Sequence, residues 1–206
     1  LGDHNAWQKE SFFEASCHVP FLLSWPARLP ANVQREELVC LTDLYGIAAR
    51  AGGVTLGSGA ADLRDGIDVL GVLEGSVPPR EQIVGMYGEP GTTQFKVMIR
   101  DRTWKYIYLA NGDREQLFNL VDDPHELANR IADRPEVGQR MRERAIAACE
   151  TPGAADALER GRLRAFPFQA HKAGRIYQFD RSRGVTGFPE RPQDVLDRWG
   201  AEKEGQ

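Results

Sequence analysis

Apolar positions change their spacing along the chain, and each change marks an expected element. Pro20 opens the short apolar run 21–25, closed by Pro26, and such a run predicts a buried strand. A loop rich in Pro, Arg and Asn leads to Leu38, Val39, Cys40 and Leu41. Thr42 and Asp43 then stand as N-cap candidates for a helix with Leu44, Ile47, Ala48 and Ala51 on one face, and Gly52-Gly53 supplies the stop. A strand followed by such a helix fits the edge of an α/β layer.

Residues 54–80 are rich in glycine and read as a connection with one short helix. Beyond them, 82–87, 95–100, 104–109 and 116–120 are β-prone segments separated by short turn-rich gaps, one containing Asn111-Gly112. An antiparallel meander is expected. Trp104, Tyr106 and Tyr108 alternate with Lys105, Ile107 and Leu109, so the aromatic rings share one face as core beneath a covering helix. Pro135 opens that helix, with Val137, Met141, Ala145 and Ala148 at helical spacing. From Arg160 the periodicity fades into an arm of prolines, glycines, arginines and aromatics.

Composition adds exclusions. A charged fraction of 27% and a hydrophobic fraction of 41% are those of an ordinary globular protein. Net charge is −4, which lacks the basic excess that phosphate-backbone binding requires, so no nucleic acid partner is expected. The arginines of the arm, interleaved with Phe166, Phe168, Tyr177 and Phe179, are assigned instead to packing within the subunit or across to a neighbour, making a homo-oligomer the expected form. No apolar run has the length of a membrane span, and the opening Leu-Gly-Asp-His has neither the basic nor the apolar region of a signal peptide. Cys17, Cys40 and Cys149 are odd in number and lack CxxC spacing, which suits reduced thiols and tilts the expected compartment toward cytoplasm over periplasm.

The chemistry sits near the start. Leu1-Gly2-Asp3-His4, Trp7, Lys9, the Phe13-Glu14 pair, Ala15-Ser16 and Val19-Pro20 together resemble a motif of the sulfatase family. Further blocks agree in order: 41–44 with its helix, 65–70, Trp104-Lys105-Tyr106-Ile107, and 115–120 running into Asp122-Asp123-Pro124-His125-Glu126 and Asn129. The resemblance implies an alkaline-phosphatase-like α/β fold, of which this chain would be the C-terminal part. Residues 1–53 would end the catalytic sheet domain, 54–80 connect, 81–150 form a small four-stranded antiparallel subdomain with a packed helix, and 151–206 form the arm.

The same resemblance implies roles. Lys9 occupies the position of the lysine that reaches the sulfate ester, where a compact ammonium can stabilise charge on the nonbridging and leaving oxygens. His4 is the second candidate for substrate contact, by anion binding or proton relay. His18 reads as a hydrogen-bonded histidine at a strand entrance, and His125 as solvent-facing. Asp122, Asp123 and Glu126 could be taken for a metal cluster, but Asp123-Pro124 suits helix initiation with Glu126 near the first-turn amides, so capping is expected.

The family's nucleophile is a formylglycine made within a Cys-x-Pro-x-Arg motif. Neither Cys17-His18-Val19-Pro20-Phe21 nor Cys149-Glu150-Thr151-Pro152-Gly153 fits it. Nucleophile and divalent metal, with calcium the expected ion, are therefore assigned upstream of residue 1, and no metal ligand is assigned within the chain. Tyr45-Gly46 also replaces the Pro-Thr usual after the Asp43 position, which puts the start of that helix in doubt. The expected activity is hydrolysis of a small anionic sulfate ester by the longer protein, with this chain inactive alone. Competing readings are a phosphonate monoester or phosphodiester hydrolase of the same superfamily, and a noncatalytic oligomerisation segment.

Overall fold

A computed structural model describes residue 4, residues 11–54 and residues 65–170. Its centre is a four-stranded antiparallel sheet in sequence order: β1 (Ile83–Tyr87), β2 (Lys96–Arg100), β3 (Trp104–Leu109) and β4 (Arg114–Asn119). This is the expected meander, with boundaries shifted by a residue or two. Asp101 sets the tight β2–β3 connection by accepting from the amides of Thr103 and Trp104 at 2.9 and 2.7 Å, so Arg100 pairs with Lys105. In the β3–β4 connection Gly112 and Asp113 both adopt positive φ, which a turn between neighbouring strands demands.

One face of the sheet carries the main core. Phe95, Val97, Ile99, Tyr106, Tyr108 and Leu117 meet Val137, Met141, Ala145 and Cys149 of a long helix (Pro135–Cys149), each buried. That helix starts with its proline in the first turn, where the missing N–H is not needed. Buried phenols on this face are satisfied. Tyr106 donates to Glu115, which also takes Arg142 at 2.5 and 2.7 Å, and Tyr108 donates to Asp113 at 2.9 Å.

The opposite face carries a second cluster of Met98, Ile107 and Phe118, with Phe12 and Phe13 packed against it. A single turn, α1 (Glu14–Cys17), follows those two rings. The helix after Asp43 is α2 (Asp43–Ala51), and the short helix of the connection is α3 (Val69–Glu74), so the long helix is α4.

Two expectations are corrected. The run 21–25 is not a strand, and Leu22 is 94% exposed. Residues 38–41 likewise form no strand, and Leu41 lies in a turn. A strand is a hydrogen-bonded relation, and among the described residues no neighbouring segment completes a ladder with either run. Thr42 takes the N-cap position of α2 without capping it, and Asp43 does not cap either. Its wholly buried carboxylate accepts from the amides of Cys40 and Ile67 and from Arg80, tying α2 to the segments on both sides.

The first part of the expected arm folds back onto the sheet. Leu158–Glu159 and Arg162–Leu163 form a small hairpin whose turn residues, Arg160 and Gly161, have positive φ. Phe166 then bridges to Asn111, and Phe166 N–H donates to Ala110 O at 2.9 Å. Phe168 beyond it stays 62% exposed, and the rest of the arm, from 171 onward, lies outside the described residues, as does the oligomer contact assigned to it.

Candidate functional site

The motif residues at the start of the chain lead onto the second sheet face. His4 stacks on Phe13, with centroids 3.9 Å apart and planes 9° from parallel, and Phe13 meets Phe118 of β4 edge-on at 5.8 Å. Lys9 lies outside the described residues, so its own contacts are not part of the geometry. The segment that follows it is held firmly by a lysine the sequence analysis placed only within a matching strand.

Lys105 on β3 is wholly buried. An ammonium has three protons to donate, and each has an acceptor: Phe12 O at 2.6 Å, Glu14 Oε1 at 2.6 Å and Glu126 Oε1 at 2.8 Å. The other oxygen of Glu126 accepts from the Glu14 backbone N–H at 2.5 Å. Arg100, paired with Lys105 across the ladder, brings its Nε to 3.3 Å from Glu14 Oε1 without hydrogen-bond alignment. Two cations thus face two carboxylates. His18, exposed at the far side, places Nδ1 3.3 Å from Glu14 Oε2, so it is a surface partner of Glu14 and does not enter a strand.

Glu126 reaches this place because of the turn preceding it. Asp123 accepts from the amides of Leu127 and Ala128 at 3.1 and 2.9 Å, and its carbonyl accepts from Glu126 N–H. These bonds close a turn and cap no helix, so the capping expectation for Asp123 and Glu126 is corrected. No helix begins there: Glu126 takes φ +56° and aims inward at Lys105. A non-glycine residue held in the left-handed region indicates a turn over-determined by its surroundings. Asp122 is bound by Asn119, and His125 is solvent-facing as expected.

His4, Glu14, Ala15, His18, Pro124, His125, Glu126 and Leu127 line one cleft of about 590 Å3. It joins the start of the chain to the Asp-Pro-His-Glu turn. The carboxylates at its floor are committed to Lys105 and to backbone amides. Among the described residues no cluster of three or more His, Cys, Asp or Glu is placed to hold a metal ion, so the chain's described residues do not fit that role. The three cysteines are free thiols; burial pushes the Cys149 thiol up to about 11, away from reactivity at neutral pH.

Burial alone would raise the Glu14 carboxyl, but the hydrogen bond and charge of Lys105, with Arg100 and His18 behind it, hold it below its ordinary 4.5. A depressed carboxylate stabilises the fold fully above that ordinary value and loses the contribution as pH falls through its lower folded value. The urea midpoint should therefore drop as pH is taken below 4.5. In Lys105→Met the Glu14 part of that acid limb should flatten, and an unaltered slope would show that Lys105 does not hold Glu14.

Comparison with known proteins locates this geometry. Residues 2–148 match the family model described as N-sulphoglucosamine sulphohydrolase, C-terminal. A choline-sulfatase of Rhizobium meliloti (strain 1021) is 31% identical over 140 residues, covering 66% of this chain and 25% of that protein. Arylsulfatase K of Xenopus laevis is 30% identical over 151 residues, covering 68% of this chain and 27% of its own. The chain thus spans about a quarter of the length of the curated relatives it matches. A crystal structure of a protein described as a sulfatase from Bacteroides fragilis superposes with a TM-score of 0.50 at 18% identity, over 66% of this chain and 30% of that one.

Proposed function

The chain belongs to the sulfatase family, in the C-terminal region its family model covers, and on that premise we propose that it serves hydrolysis of a sulfate ester by contributing the sulfate-contacting lysine, Lys9. The observation that supports this reading most is the anchoring of the segment just beyond Lys9. A site residue must be held within about half an ångström of its working position, and residues 12 and 14 are fixed to a buried ammonium on the sheet. His4, on the cleft wall beside Glu14, is the second substrate contact, an imidazole able to meet the anionic ester or relay a proton.

A divalent cation, calcium, and a formylglycine nucleophile belong to the same proposal, both supplied from outside residues 1–206. The chain alone is then inactive, because an ammonium that stabilises leaving-group charge has nothing to assist. A homo-oligomer held by the arm completes the picture.

The experiment compares hydrolysis of an aryl sulfate, an aryl phosphodiester and an aryl phosphonate by the intact gene product. Preference for the sulfate is expected. Preference for either phosphorus ester would replace the sulfatase reading with that of a phosphonate or phosphodiester hydrolase built on the same lysine, since charge alone does not separate the substrates.

A further inference from the structure

A second pocket, of about 480 Å3, lies where the segment ahead of β1, the β2–β3 turn and α4 meet. Arg80, Arg102, Arg140 and Arg144 line it, against Glu81 and Asp101. Four guanidiniums facing two carboxylates leave two positive charges in excess, within a chain whose net charge is −4. A local reversal of sign in a concave site favours an anion.

The chain's own carboxylates do not use these charges up. Arg80 is committed, to the buried carboxylate of Asp43 and to Cys40 Sγ at 2.7 Å, so it supplies field rather than contact. Arg144 gives one nitrogen to Asp101 at 3.4 Å, and the other oxygen of Asp101 accepts from the amides of Thr103 and Trp104. The charge of Arg102 reaches Glu37, but Arg35 already clasps that carboxylate at 2.6 Å. Arg140 has no side-chain partner among the described residues, although it stands one turn from Arg144 on α4, where like charges repel. Donors on Arg102, Arg140 and Arg144 are thus left for a ligand.

Trp104 narrows the kind of anion. Half-buried against the main core, it gives the pocket an apolar wall that a bare sulfate or phosphate would leave unused. The volume suits an organic molecule of modest size, within the roughly 300–1,000 Å3 of small-molecule sites. We propose that the pocket binds a ring compound carrying two oxyanion groups, with its ring on Trp104 and its sulfate, sulfonate or carboxylate oxygens in the forks of Arg102, Arg140 and Arg144. A guanidinium meets such oxygens with two parallel donors, which a lysine does not. Only described residues enter, and the site stands whether or not Lys9 has the role given above.

Benzene-1,3-disulfonate is the probe, titrated calorimetrically into the intact gene product. It has no ester bond, so a sulfatase does not consume it. It still resembles an aryl sulfate, so the arginine variants, rather than binding by itself, locate it. Arg102→Gln and Arg140→Gln should each weaken binding about tenfold, the usual loss of one hydrogen bond to a charged group. The urea midpoint should stay in place, because both side chains are exposed. Glu81→Gln should tighten binding about threefold by removing a like charge. Benzenesulfonate, with one anion, and inorganic sulfate, with no ring, should each bind at least about tenfold more weakly. Benzene-1,3-dicarboxylate tells carboxylate from sulfonate as the preferred group, and tighter binding of either dianion than of inorganic sulfate supports the site. Inorganic sulfate as tight as the disulfonate would reduce the pocket to an adventitious anion trap and overturn the proposal. Affinity unaltered in both arginine variants, which places the probe elsewhere, or a lowered urea midpoint in both, which makes the arginines partners of another part of the protein, would overturn it too.

Discussion

Lys9→Ala in the intact enzyme is expected to lower kcat on an aryl sulfate by about 100- to 1,000-fold, the usual effect of deleting one electrostatic donor at developing charge. The ester is anionic before it reacts, but the leaving oxygen gains its charge only as the S–O bond breaks. An ammonium that bridges nonbridging and leaving oxygens is therefore worth more in the transition state than in the bound ground state, and its loss shows mainly in kcat. Stability should hardly change, because an ammonium placed at developing charge contributes mainly in the transition state. Steady-state kinetics beside urea denaturation makes the check, and a kcat within a few-fold of the native enzyme would remove Lys9 from the chemistry.

Lys105→Ala is expected to act the other way, on stability first, by about 3–5 kcal/mol, the range for breaking a buried ion cluster by removing one partner. The size follows from what stays behind. Glu126, 1% exposed, would lose the ammonium facing it, and the Phe12 carbonyl would lose its donor. Arg100 approaches Glu14 only without hydrogen-bond alignment and is a poor substitute. Urea unfolding at pH 7 with an unchanged slope measures the loss. A change below about 1 kcal/mol, the level of an exposed pair, would mean that water reaches the cluster and that burial there is not real. The contrast separates the two lysines: one should matter to kcat with little effect on folding, the other to folding itself.

The four strands, the covering helix with Pro135 in its first turn, and the face shared by Trp104, Tyr106 and Tyr108 were all legible in the sequence. Each is a local property: strand alternation, turn residues and helical spacing are written within a few residues of where they act. The family was legible too, through motif blocks in fixed order, and the matched region of residues 2–148 agrees. Strand character at 21–25 was misread for the complementary reason. An apolar run between prolines states that burial is wanted, but a ladder also needs a neighbour, which no local pattern contains.

Lys105 marks the limit most clearly. Ile107 and Leu109 share its face of β3, so the sequence already hinted that both faces of the strand are covered and that a lysine there would need acidic partners. It did not say which ones. Glu14 lies 91 positions earlier in the chain and Glu126 lies 21 later, and Glu126 resembled a cap until the turn at positive φ aimed it inward. The sequence by itself determined the elements, the family and the candidate Lys9. Only the tertiary structure decided that one buried ammonium joins the start of the chain to the sheet and the Asp123–Ala128 turn, because a charge is buried only where opposite charges from distant segments converge, and convergence is a property of the whole fold.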